Sequence, residues 1–379
     1  MTLPKVDLVV VGTGVVGLSC ALAAARLGKR VAVVDRDAQA NGASVRNFGF
    51  ITVTGQARGE VWNRARRTRD VWKRLAAEAG VTILQRGLWM TVRRPEARAV
   101  LEAFMGTEMG DGCALLTRAE AVDRGAWLTP PDCEGVLWSP HDLRVDSRTA
   151  IPRLAAWMKT RHGVTFLRET AVLAVEGERV VTSRGVIETE AAIVCPGDDL
   201  VTLYPDRFAA AGVVRSKLQM MRLADPGFRA PAPLMSDLGL VRYAGYADLP
   251  EAAALRRRLE TEQSGHLRHG VHLIAVQNAD GSLVVGDSHH EAATPDPFGS
   301  EAIDRLILDE FAAATGCAAP PVIERWTGAY AKAADRHVLV ERLADNQRLV
   351  VVTSGNGAST GFALGEEVVA DLYGRNIPE

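Results

Sequence analysis

The stretch Val6 to Asp35, VDLVVVGTGVVGLSCALAAARLGKRVAVVD, determines the predicted fold. A run of β-branched residues ends at a glycine-rich turn, Gly12 to Gly17. An alanine-rich helical pattern follows and ends at Gly28, and a second apolar run, Val31 to Val34, ends on Asp35. The pattern therefore predicts a strand, a tight turn, a helix and a second, parallel strand.

The three glycines of the turn have separate roles if the unit binds a nucleotide. Gly12 permits the sharp turn out of the strand, Gly14 allows a pyrophosphate to approach the backbone, and Gly17 allows the helix to pack close to the strand. The N-terminus of the helix that follows then points free N–H groups and the positive end of the helix dipole at the phosphate. The turn therefore predicts a dinucleotide-binding site.

Asp35 lies about twenty residues beyond the turn, at the position where a carboxylate accepts the hydroxyls of an adenosine ribose. Its charge would repel a 2′-phosphate, which disfavours NADP. Because FAD and NAD share this half of the molecule, the motif alone does not distinguish them.

Composition excludes several classes of partner. The chain has 379 residues, enough for two domains or one elaborated domain, and a net charge of −2 that gives no footprint for nucleic acid or an anionic membrane. Five scattered cysteines without a CxxC pair indicate reduced thiols. We find no signal-peptide pattern and no apolar run of about twenty residues, and we expect a cytoplasmic protein.

A second glycine-rich region lies at the other end of the chain. Arg348 to Tyr373 again reads as strand, glycine turn and helix, and Ser354 to Phe362 offers backbone N–H groups at a helix N-terminus. Near the first unit, the polar loop Arg36 to Phe50 carries Ser44, Arg46 and Asn47, which suit phosphate and flavin edges. Two phosphate-binding ends predict a long, two-headed ligand, so FAD fits better than NAD.

The middle of the chain has a different character. Val213–Leu223, Leu238–Tyr246, Val271–Gln277 and Leu283–Asp287 predict strands of an antiparallel sheet. Before them, Leu173–Thr182 and Val186–Thr189 predict a hairpin, and Ala191–Asp198 a buried strand. Three tryptophans are possible pocket aromatics, although each is also typical of a core: Trp89, Trp127 and Trp138.

Several segments together resemble one family: Gly12–Asp35, Gly42–Gly49, Cys195–Gly197, Glu324–Gly328 and Ser354–Phe362. In order and spacing they are similar to the D-amino-acid oxidase superfamily of flavoproteins, which includes glycine oxidase, sarcosine oxidase and bacterial D-amino-acid dehydrogenase. The resemblance implies an α/β fold, a glycine oxidase-like flavoprotein of two domains. A Rossmann-like FAD-binding domain would comprise residues 1–82, 142–212 and 320–379. A substrate domain with an antiparallel sheet would comprise residues 83–141 and 213–319.

The resemblance also implies the cofactor contacts. FAD should be non-covalent, because no cysteine lies between Ala318 and Glu379 to form the flavin link of some sarcosine oxidases. The residues expected to bind FAD are Gly12, Gly14, Val15, Val16, Gly17, Asp35, Arg36, Ser44, Arg46, Asn47, Val172, Gly197, Gly355, Gly357, Ser359, Thr360, Gly361 and Phe362.

The implied reaction is oxidation of a C–N bond. A neutral amine loses hydride from its α-carbon to flavin N5, the imine hydrolyses, and O2 or another acceptor takes the electrons. We assign no catalytic acid or base. Members that use carboxylates carry an arginine clamp where this chain has Tyr330, so an ordinary amino acid is disfavoured. Tyr330 with Lys332, Arg336 or His337 suits a tetrahedral oxyanion instead.

The VRNFGF loop and the GDSHHE tract, Gly286 to Glu291, resemble the members associated with aminophosphonate breakdown. The expected substrate is 2-aminoethylphosphonate or its N-methyl form, and the product phosphonoacetaldehyde. We expect Lys217 or Lys332 to approach the flavin and to promote O2 reduction. His289 and His290 are pocket candidates, and no metal is expected. The other substrate-binding candidates are Lys217, Gln219, Tyr243, Tyr246, His272, Tyr330 and Lys332.

Two alternatives remain open at this point. An oxidase or dehydrogenase for N-methyl or D-amino acids would use Arg215, Arg222 or Arg242 in place of the missing clamp. A flavin-binding structural or sensor protein would bind the cofactor without turnover.

Overall fold

A computed structural model describes residues 5–125 and 129–375. The strands are β1 (Val6–Val11), β2 (Val31–Val34), β3 (Phe50–Ile51), β4 (Ile83–Val92), β5 (Ala114–Leu116), β6 (Gly135–Val145), β7 (Thr165–Leu167), β8 (Val172–Glu176), β9 (Arg179–Thr182), β10 (Gly185–Val194), β11 (Val214–Leu223), β12 (Leu234–Ser236), β13 (Ile274–Gln277), β14 (Leu283–Gly286), β15 (His290–Ala292), β16 (Val322–Lys332), β17 (Val338–Ala344) and β18 (Gln347–Val352). The α-helices are α1 (Val15–Arg26), α2 (Glu60–Glu78), α3 (Pro95–Met105), α4 (Arg118–Asp123), α5 (Ser147–His162), α6 (Pro205–Ala210), α7 (Ala244–Ala247), α8 (Ala252–Glu262), α9 (Ser264–Arg268), α10 (Glu301–Thr315) and α11 (Gly357–Tyr373).

The first sheet is eight-stranded among the described residues, with the path β17-β18-β10-β1-β2-β7 and with β8 and β9 joined through β10. The strands β1, β2, β10 and β18 run parallel, so their carboxyl ends share one edge. Helices α1 and α11 pack together beside this sheet, where Gly361 and Gly365 face α1. The glycine turn after β1 and the turn after β18 therefore lie at the same edge, as expected for a ligand that both bind.

The second sheet is ten-stranded in the same described part, with the path β15-β11-β14-β13-β12-β4-β6-β3, and with β16 beside β11 and β5 beside β6. Most pairs are antiparallel, and β12 with β4 is parallel. Helix α10 contributes Ile303, Ile307 and Phe311 to the core on one side of this sheet. The mixed α/β fold with one largely parallel and one largely antiparallel sheet confirms the predicted fold class.

The helix ends follow their local sequence. Helix α3 begins at Pro95, whose fixed φ and missing N–H suit the first helical position. Helix α5 is capped by the Asp146 side chain and ends at Gly163 with a φ of 67°. Helix α2 buries one stripe of residues at helical spacing: Val61, Ala65, Thr68, Val71, Trp72 and Leu75.

The prediction of a strand at Leu238–Tyr246 is wrong. The segment forms a 3-10 helix, Asp237–Val241, and the short helix α7. Gly245 explains part of this. Its backbone lies so close to the loop after β3 that a Cβ would sit 2.4 Å from the Gln56 carbonyl oxygen. Helical turns bury the apolar side chains here without a neighbouring strand.

Two further boundaries differ from prediction. Leu173–Thr182 is divided into β8 and β9 by a turn at Gly177, which has a φ of 58°. The predicted strands Val186–Thr189 and Ala191–Asp198 form one strand, β10, because it extends from the β9 hairpin into the parallel sheet.

Trp89 and Trp138 stack with ring centroids 4.6 Å apart, and Trp127 lies outside the described residues.

Sheet membership departs from the expected division of the chain at two strands. Both β3 and β16 pair in the second sheet, although residues 1–82 and 320–379 were expected in the FAD-binding domain. These strands bring the loop before β3 and the turn after β16 to the junction between the sheets. Within the described part of the chain, no helix has the length and apolar character needed to cross a membrane.

Candidate active site and cofactor site

Three neighbouring cavities run from the shared edge of the first sheet toward the second. The first, about 160 Å³, is lined by Gly12, Asp35, Arg36, Val172 and Gly197 among others. The second, about 90 Å³, lies beside the start of α1, and the third, about 380 Å³, lies beneath the second sheet. The cavities are contiguous, since adjacent ones share wall residues, among them Gly14, Ser44, Asn47, Tyr330 and Gly355. A long ligand with a nucleotide at one end fits this arrangement.

The glycine turn has the geometry that its sequence predicts. A Cβ on Gly12, which has a φ of 99°, would lie 2.3 Å from the Cys195 carbonyl oxygen, and one on Gly17 would lie 2.0 Å from the Gly12 carbonyl oxygen. By contrast, a Cβ on Gly14 would have only the Ser44 hydroxyl oxygen within 4 Å, at 3.0 Å. Gly14 faces the first and second cavities. Two glycines therefore allow close packing, and the third leaves open the path of a pyrophosphate.

The Asp35 carboxylate is held in place at the wall of the first cavity. Its oxygens accept from the Thr13 N–H at 2.8 Å, from the Thr13 hydroxyl and from the Asp37 N–H at 3.0 Å. Arg36 lines the same cavity and pairs with Asp199 at 2.5 Å. The carboxylate is thus oriented before a ribose arrives, which reduces the entropy lost on binding.

We expect Asp35→Asn to weaken binding of the nucleotide cofactor about tenfold, because a charged acceptor for ribose hydroxyls is worth about 1.4 kcal/mol. Titration of the apoprotein with FAD, followed by quenching of flavin fluorescence, measures the change. Asp206→Asn, in an exposed residue outside the three cavities, is the matched control. Unchanged affinity in the Asp35 variant would show that this carboxylate does not bind the ribose.

The loop before β3 is locked against its neighbours. The Ser44 hydroxyl accepts from the Val15 N–H at 2.9 Å, at the start of α1. The Asn47 side chain donates to the Ala43 carbonyl and accepts from the Gly49 N–H, so it holds the loop together as well as lining the second and third cavities. The Trp326 indole donates to the Arg46 carbonyl at 3.0 Å. The tryptophan of the Glu324–Gly328 tract therefore fixes this loop, a role that the sequence did not reveal.

The turn after β18 places Gly355 and Gly357 at the walls of the second cavity, and α11 begins there. Ser359 lines the third cavity, although its hydroxyl accepts from the Thr52 N–H at 2.9 Å.

Three residues expected to contact FAD at this helix line none of the three cavities. The Thr360 hydroxyl donates to the Asn356 carbonyl, Gly361 packs toward Ser19 and Val15, and Phe362 contacts the Trp72 ring with centroids 5.0 Å apart. Thr360, Gly361 and Phe362 therefore lie within the helix packing and not at a cavity wall, because α11 begins at Gly357, three residues before Thr360.

Three cations face the third cavity without a partner. The side chains of Arg46, Arg242 and Lys332 line it, and none makes a hydrogen bond or an ion pair within residues 5–125 and 129–375. Arg336 and His337 also line it. Both are exposed, as Arg242 is, but Arg336 pairs with Asp335 at 2.8 Å. The third cavity is therefore built to receive an anionic group.

Of the three arginines considered as replacement clamps, only Arg242 reaches this cavity. The Arg215 guanidinium donates to the Asp198 and Ala293 carbonyls, and Arg222 pairs with Asp280 at 2.5 Å. Neither lines the third cavity.

The buried acid Asp287, the buried His272 and the half-buried His289 lie on the wall next to Arg242. The His272 Nδ1 lies 3.3 Å from one Asp287 oxygen, and the His289 Nε2 lies 3.7 Å from the other. Burial raises the pKa of Asp287 to about 7, against the opposing charge of Arg242. Burial and Arg242 together hold the pKa values of His272 and His289 well below the usual range, so both imidazoles are neutral.

Two tyrosines complete this wall. The Tyr243 hydroxyl lies 3.2 Å from the His272 Nε2, and the Tyr330 ring lies 6.1 Å from the His289 ring between centroids. Burial raises the pKa of both phenols, so both remain protonated at neutral pH. Of the predicted substrate residues, His272, Tyr243, Tyr330 and Lys332 thus meet at one cavity, and His289 joins them.

Other predicted pocket residues lie elsewhere. Leu218 on β11 faces the third cavity, so its neighbours Lys217 and Gln219 project from the opposite face of the sheet. The Lys217 ammonium binds Asp296 at 2.8 Å, and the Gln219 amide binds Asp304 at 2.7 Å. The predictions for Lys217 and Gln219 are therefore wrong, and Lys332 is the lysine at the cavity.

Tyr246 and His290 are likewise corrected. Tyr246 is fully buried in the core, with its ring 4.7 Å from that of Phe104. His290 contacts His269, with Nε2 and Nδ1 3.0 Å apart, because adjacent side chains at the start of β15 project to opposite sides. The pair His289–His290 is therefore not a joint ligand set. Asp287, which we did not single out from the sequence, takes the place beside His289.

The chain's residues fit an FAD molecule. Gly14 leaves the second cavity open where a pyrophosphate would lie, with Ser44 and the start of α11 beside it. Asp35 presents a carboxylate to the first cavity, and the third cavity has room for a ring system bounded by Arg46, Gln56 and Tyr330.

Comparisons with known proteins agree with this fit. A family model described as "FAD dependent oxidoreductase", DAO, matches residues 7–372. L-proline dehydrogenase from P. horikoshii is similar, with a TM-score of 0.79 and 20% identity over 100% of this chain and 96% of that one. Glycine oxidase from Geobacillus kaustophilus gives a TM-score of 0.75 and 18% identity over 98% of this chain and 95% of that one.

L-alpha-glycerophosphate oxidase from Mycoplasma pneumoniae, with FAD bound, gives a TM-score of 0.75 and 13% identity over 100% of this chain and 97% of that one. Comparison with curated proteins gave no significant match. The likeness to these structures shows the fold, and the family match covers nearly the whole chain. The protein is an FAD-dependent oxidoreductase and belongs to the DAO family.

Proposed function

We propose that the protein oxidises the C–N bond of a small aminophosphonate, 2-aminoethylphosphonate or its N-methyl form, and yields phosphonoacetaldehyde after imine hydrolysis. FAD, when bound, accepts the hydride from the carbon that carries the amine. The observation that carries the proposal is the group of unpaired cations, Arg46, Arg242 and Lys332, around a cavity where Tyr330 replaces the expected arginine clamp.

The shape of the anion distinguishes the possible substrates. A carboxylate has two oxygens in a plane and is matched by one bidentate guanidinium. A phosphonate has three oxygens arranged around phosphorus and up to two negative charges, so it is stabilised best by several donors that approach from different directions. Arg242 comes from the segment before α7 and Lys332 from the end of β16, and the Tyr330 hydroxyl comes from the same strand. These donors suit three oxygens better than two.

A second candidate function has one observation in its favour. Arg242 lines the cavity with a free guanidinium, which by itself can hold a carboxylate in a fork. An oxidase or dehydrogenase for N-methyl or D-amino acids would use Arg242 in this way.

Amines matched in length test the two functions. We expect kcat/KM for 2-aminoethylphosphonate to exceed that for 3-aminopropanoate by about a hundredfold, because several charge-assisted hydrogen bonds have no partner in the planar carboxylate. Steady-state assays with O2 and with an artificial electron acceptor give the ratio and identify the acceptor class. Glycine, sarcosine and D-alanine complete the comparison, and equal turnover of any of them would favour the second function. Failure of every amine to bleach the flavin without air would favour a non-catalytic role.

A further inference from the structure

We propose that Asp287, flanked by His272 and His289, binds the ammonium group of the substrate and accepts its proton before hydride leaves the neighbouring carbon. The inference rests on the amine chemistry of the proposed function and does not depend on the phosphonate. It assigns a catalytic base to a site for which the sequence provided none.

The hydrogen-bond pattern identifies the free acceptor atoms. The His289 Nδ1 lies 3.0 Å from the Gly270 carbonyl oxygen, which can only accept, so this nitrogen carries the proton. The His289 Nε2 therefore presents a lone pair toward Asp287. The His272 Nδ1 and one Asp287 oxygen are buried and lie 3.3 Å from each other, and neither has a hydrogen bond of acceptable geometry within the described residues. Buried polar atoms of this kind require a partner, and a ligand can supply it.

Three acceptor atoms face a common point. One atom each from His272, Asp287 and His289 lie within 4.8 Å of one another, at the wall of the third cavity. In the His272 tautomer whose proton is on Nε2, that nitrogen donates to the Tyr243 hydroxyl oxygen, and the Nδ1 lone pair is an acceptor. A primary ammonium group has three N–H donors and a secondary one has two. The number and spacing of these acceptors therefore match an ammonium group.

Charges around the site suit a reversible proton transfer. Asp287 and His289 follow β14, His272 precedes β13, Arg242 and Tyr243 precede α7, and Tyr330 and Lys332 lie on β16. The charged groups among them are Arg242, Lys332 and, above a pH of about 7, Asp287. Because both histidines are neutral, the Asp287 anion has no buried cationic partner of its own. An arriving ammonium supplies that charge.

The proposed reaction is a proton transfer followed by loss of hydride. One N–H bond of R–CH2–NH3+ breaks and an O–H bond forms on the Asp287 carboxylate, which leaves the neutral amine R–CH2–NH2. The C–H hydrogen would then leave with both bonding electrons as hydride, for which bound FAD is the acceptor, while the nitrogen lone pair forms the C=N bond of the iminium product. Asp287 returns its proton to water when the product leaves. The protein thereby supplies the amine form from which hydride departs.

The same three residues are a possible metal site, which the neighbouring charge disfavours. Arg242 acts on all three groups strongly enough to shift their pKa values. A divalent cation would meet twice the repulsion that a single ammonium charge meets. We therefore treat a metal as an outcome of the test.

The first test is the pH dependence of kcat/KM of the holoenzyme with 2-aminoethylphosphonate. We expect the wild-type value to rise with pH through a midpoint near pH 7, where the free Asp287 carboxyl ionises, and to level about one pH unit above it. In Asp287→Asn this limb should disappear, and kcat/KM at about pH 8 should fall by about a hundredfold. The value should then rise only toward the pKa of the amine itself. Asp304→Asn, a buried acid on the opposite face of the second sheet, should keep the limb.

The second test measures proton release when 2-amino-2-methylpropane-1-sulfonate binds, since its amine-bearing carbon has no hydrogen to lose and its three-oxygen anion, unlike a phosphonate, has no ionisation near neutral pH. Below a pH of about 7 the free Asp287 is protonated, and binding an ammonium beside it drives the proton off. Calorimetry in two buffers of different ionisation enthalpy should show release of nearly one proton at about pH 6 and none at about pH 8.5. Asp287→Asn should show none at either pH.

The proposal would be overturned if the wild-type kcat/KM rose only with the pKa of the amine substrate and no proton were released near pH 6. This result does not require the variant to fold. Stoichiometric bound metal, with loss of substrate binding after chelation, would assign the three residues to a metal instead. These outcomes can be distinguished from failure of the proposed function. That function is tested by comparing kcat/KM of different amines at one pH, whereas the role of Asp287 is tested by varying the pH with one amine. If another amine is preferred, the same pH tests are run with that amine.

Discussion

Replacement of Arg242 by Gln should lower kcat/KM for 2-aminoethylphosphonate by about a hundredfold, which corresponds to about 2.8 kcal/mol of lost transition-state stabilisation. Arg242 lines the third cavity and has no side-chain partner among the residues that the structure describes, so its charge is available to the substrate anion. Steady-state kinetics at saturating electron acceptor measure the loss. The effect should appear mostly in KM, because the anion is bound equally in the ground state and the transition state.

The same substitution has a second consequence with a definite sign. Arg242 lowers the pKa of the Asp287 carboxyl, so its removal should raise that pKa and move the rising limb of kcat/KM to higher pH. Arg222→Gln is the matched control, because Arg222 pairs with Asp280 and Glu324 away from the cavity. An Arg242 variant that lost equal activity toward an amine without an anionic group would contradict a role in anion binding.

The cofactor half of the site was largely predictable, because its signals are local in sequence. The turn Gly12–Gly17, the acid Asp35 and the loop residue Ser44 all line the predicted nucleotide path, and each lies close in sequence to a strand end that positions it. The roles of individual glycines follow from the absence of a Cβ, which the sequence states directly. The DAO family and FAD could therefore be inferred before the fold was known.

The cofactor contacts at the start of α11 were less predictable, because they depend on where that helix begins. Gly355 and Gly357 line the second cavity, but Gly361 and Phe362 belong to the contact of α11 with α1 and α2. A glycine-rich helix start reads alike whether a glycine faces a ligand or a neighbouring helix. Only the observed start of α11 separates the two.

The substrate half depends on side-chain alternation and strand register. Lys217 and Leu218 are neighbours in sequence, yet they project from opposite faces of β11, and a one-residue difference decides which reaches the cavity. His272 and Asp287 meet because their backbones pair just beyond the β13–β14 ladder, with N···O distances of 3.3 and 3.1 Å. The register of the β13–β14 hairpin would have predicted that His272 and Asp287 meet. The sequence of the Gly286–Glu291 tract instead drew attention to its two adjacent histidines.

The largest effect on the cofactor should come from Gly17→Ala. A Cβ at this position would lie 2.0 Å from the Gly12 carbonyl oxygen, far inside van der Waals contact. The turn cannot move away easily, because Gly12 is itself confined by the Cys195 carbonyl on its other side. We therefore expect a protein that purifies without colour and retains less than about a tenth of the wild-type flavin, since overpacking of this kind costs about 3 kcal/mol.

Gly28→Ala separates this effect from a general loss of stability. Gly28 follows the same helix and has a φ of 79°, so an alanine there is strained, but a Cβ would meet nothing within 4 Å. The control should lose about 1 kcal/mol of folding free energy and keep its flavin. Absorbance near the flavin band relative to protein, with circular dichroism as the measure of folding, distinguishes the two variants. A folded Gly17→Ala protein with full flavin content would mean that close packing between the turn and α1 is not what holds the cofactor, and the two-ended FAD site would need another anchor at this end.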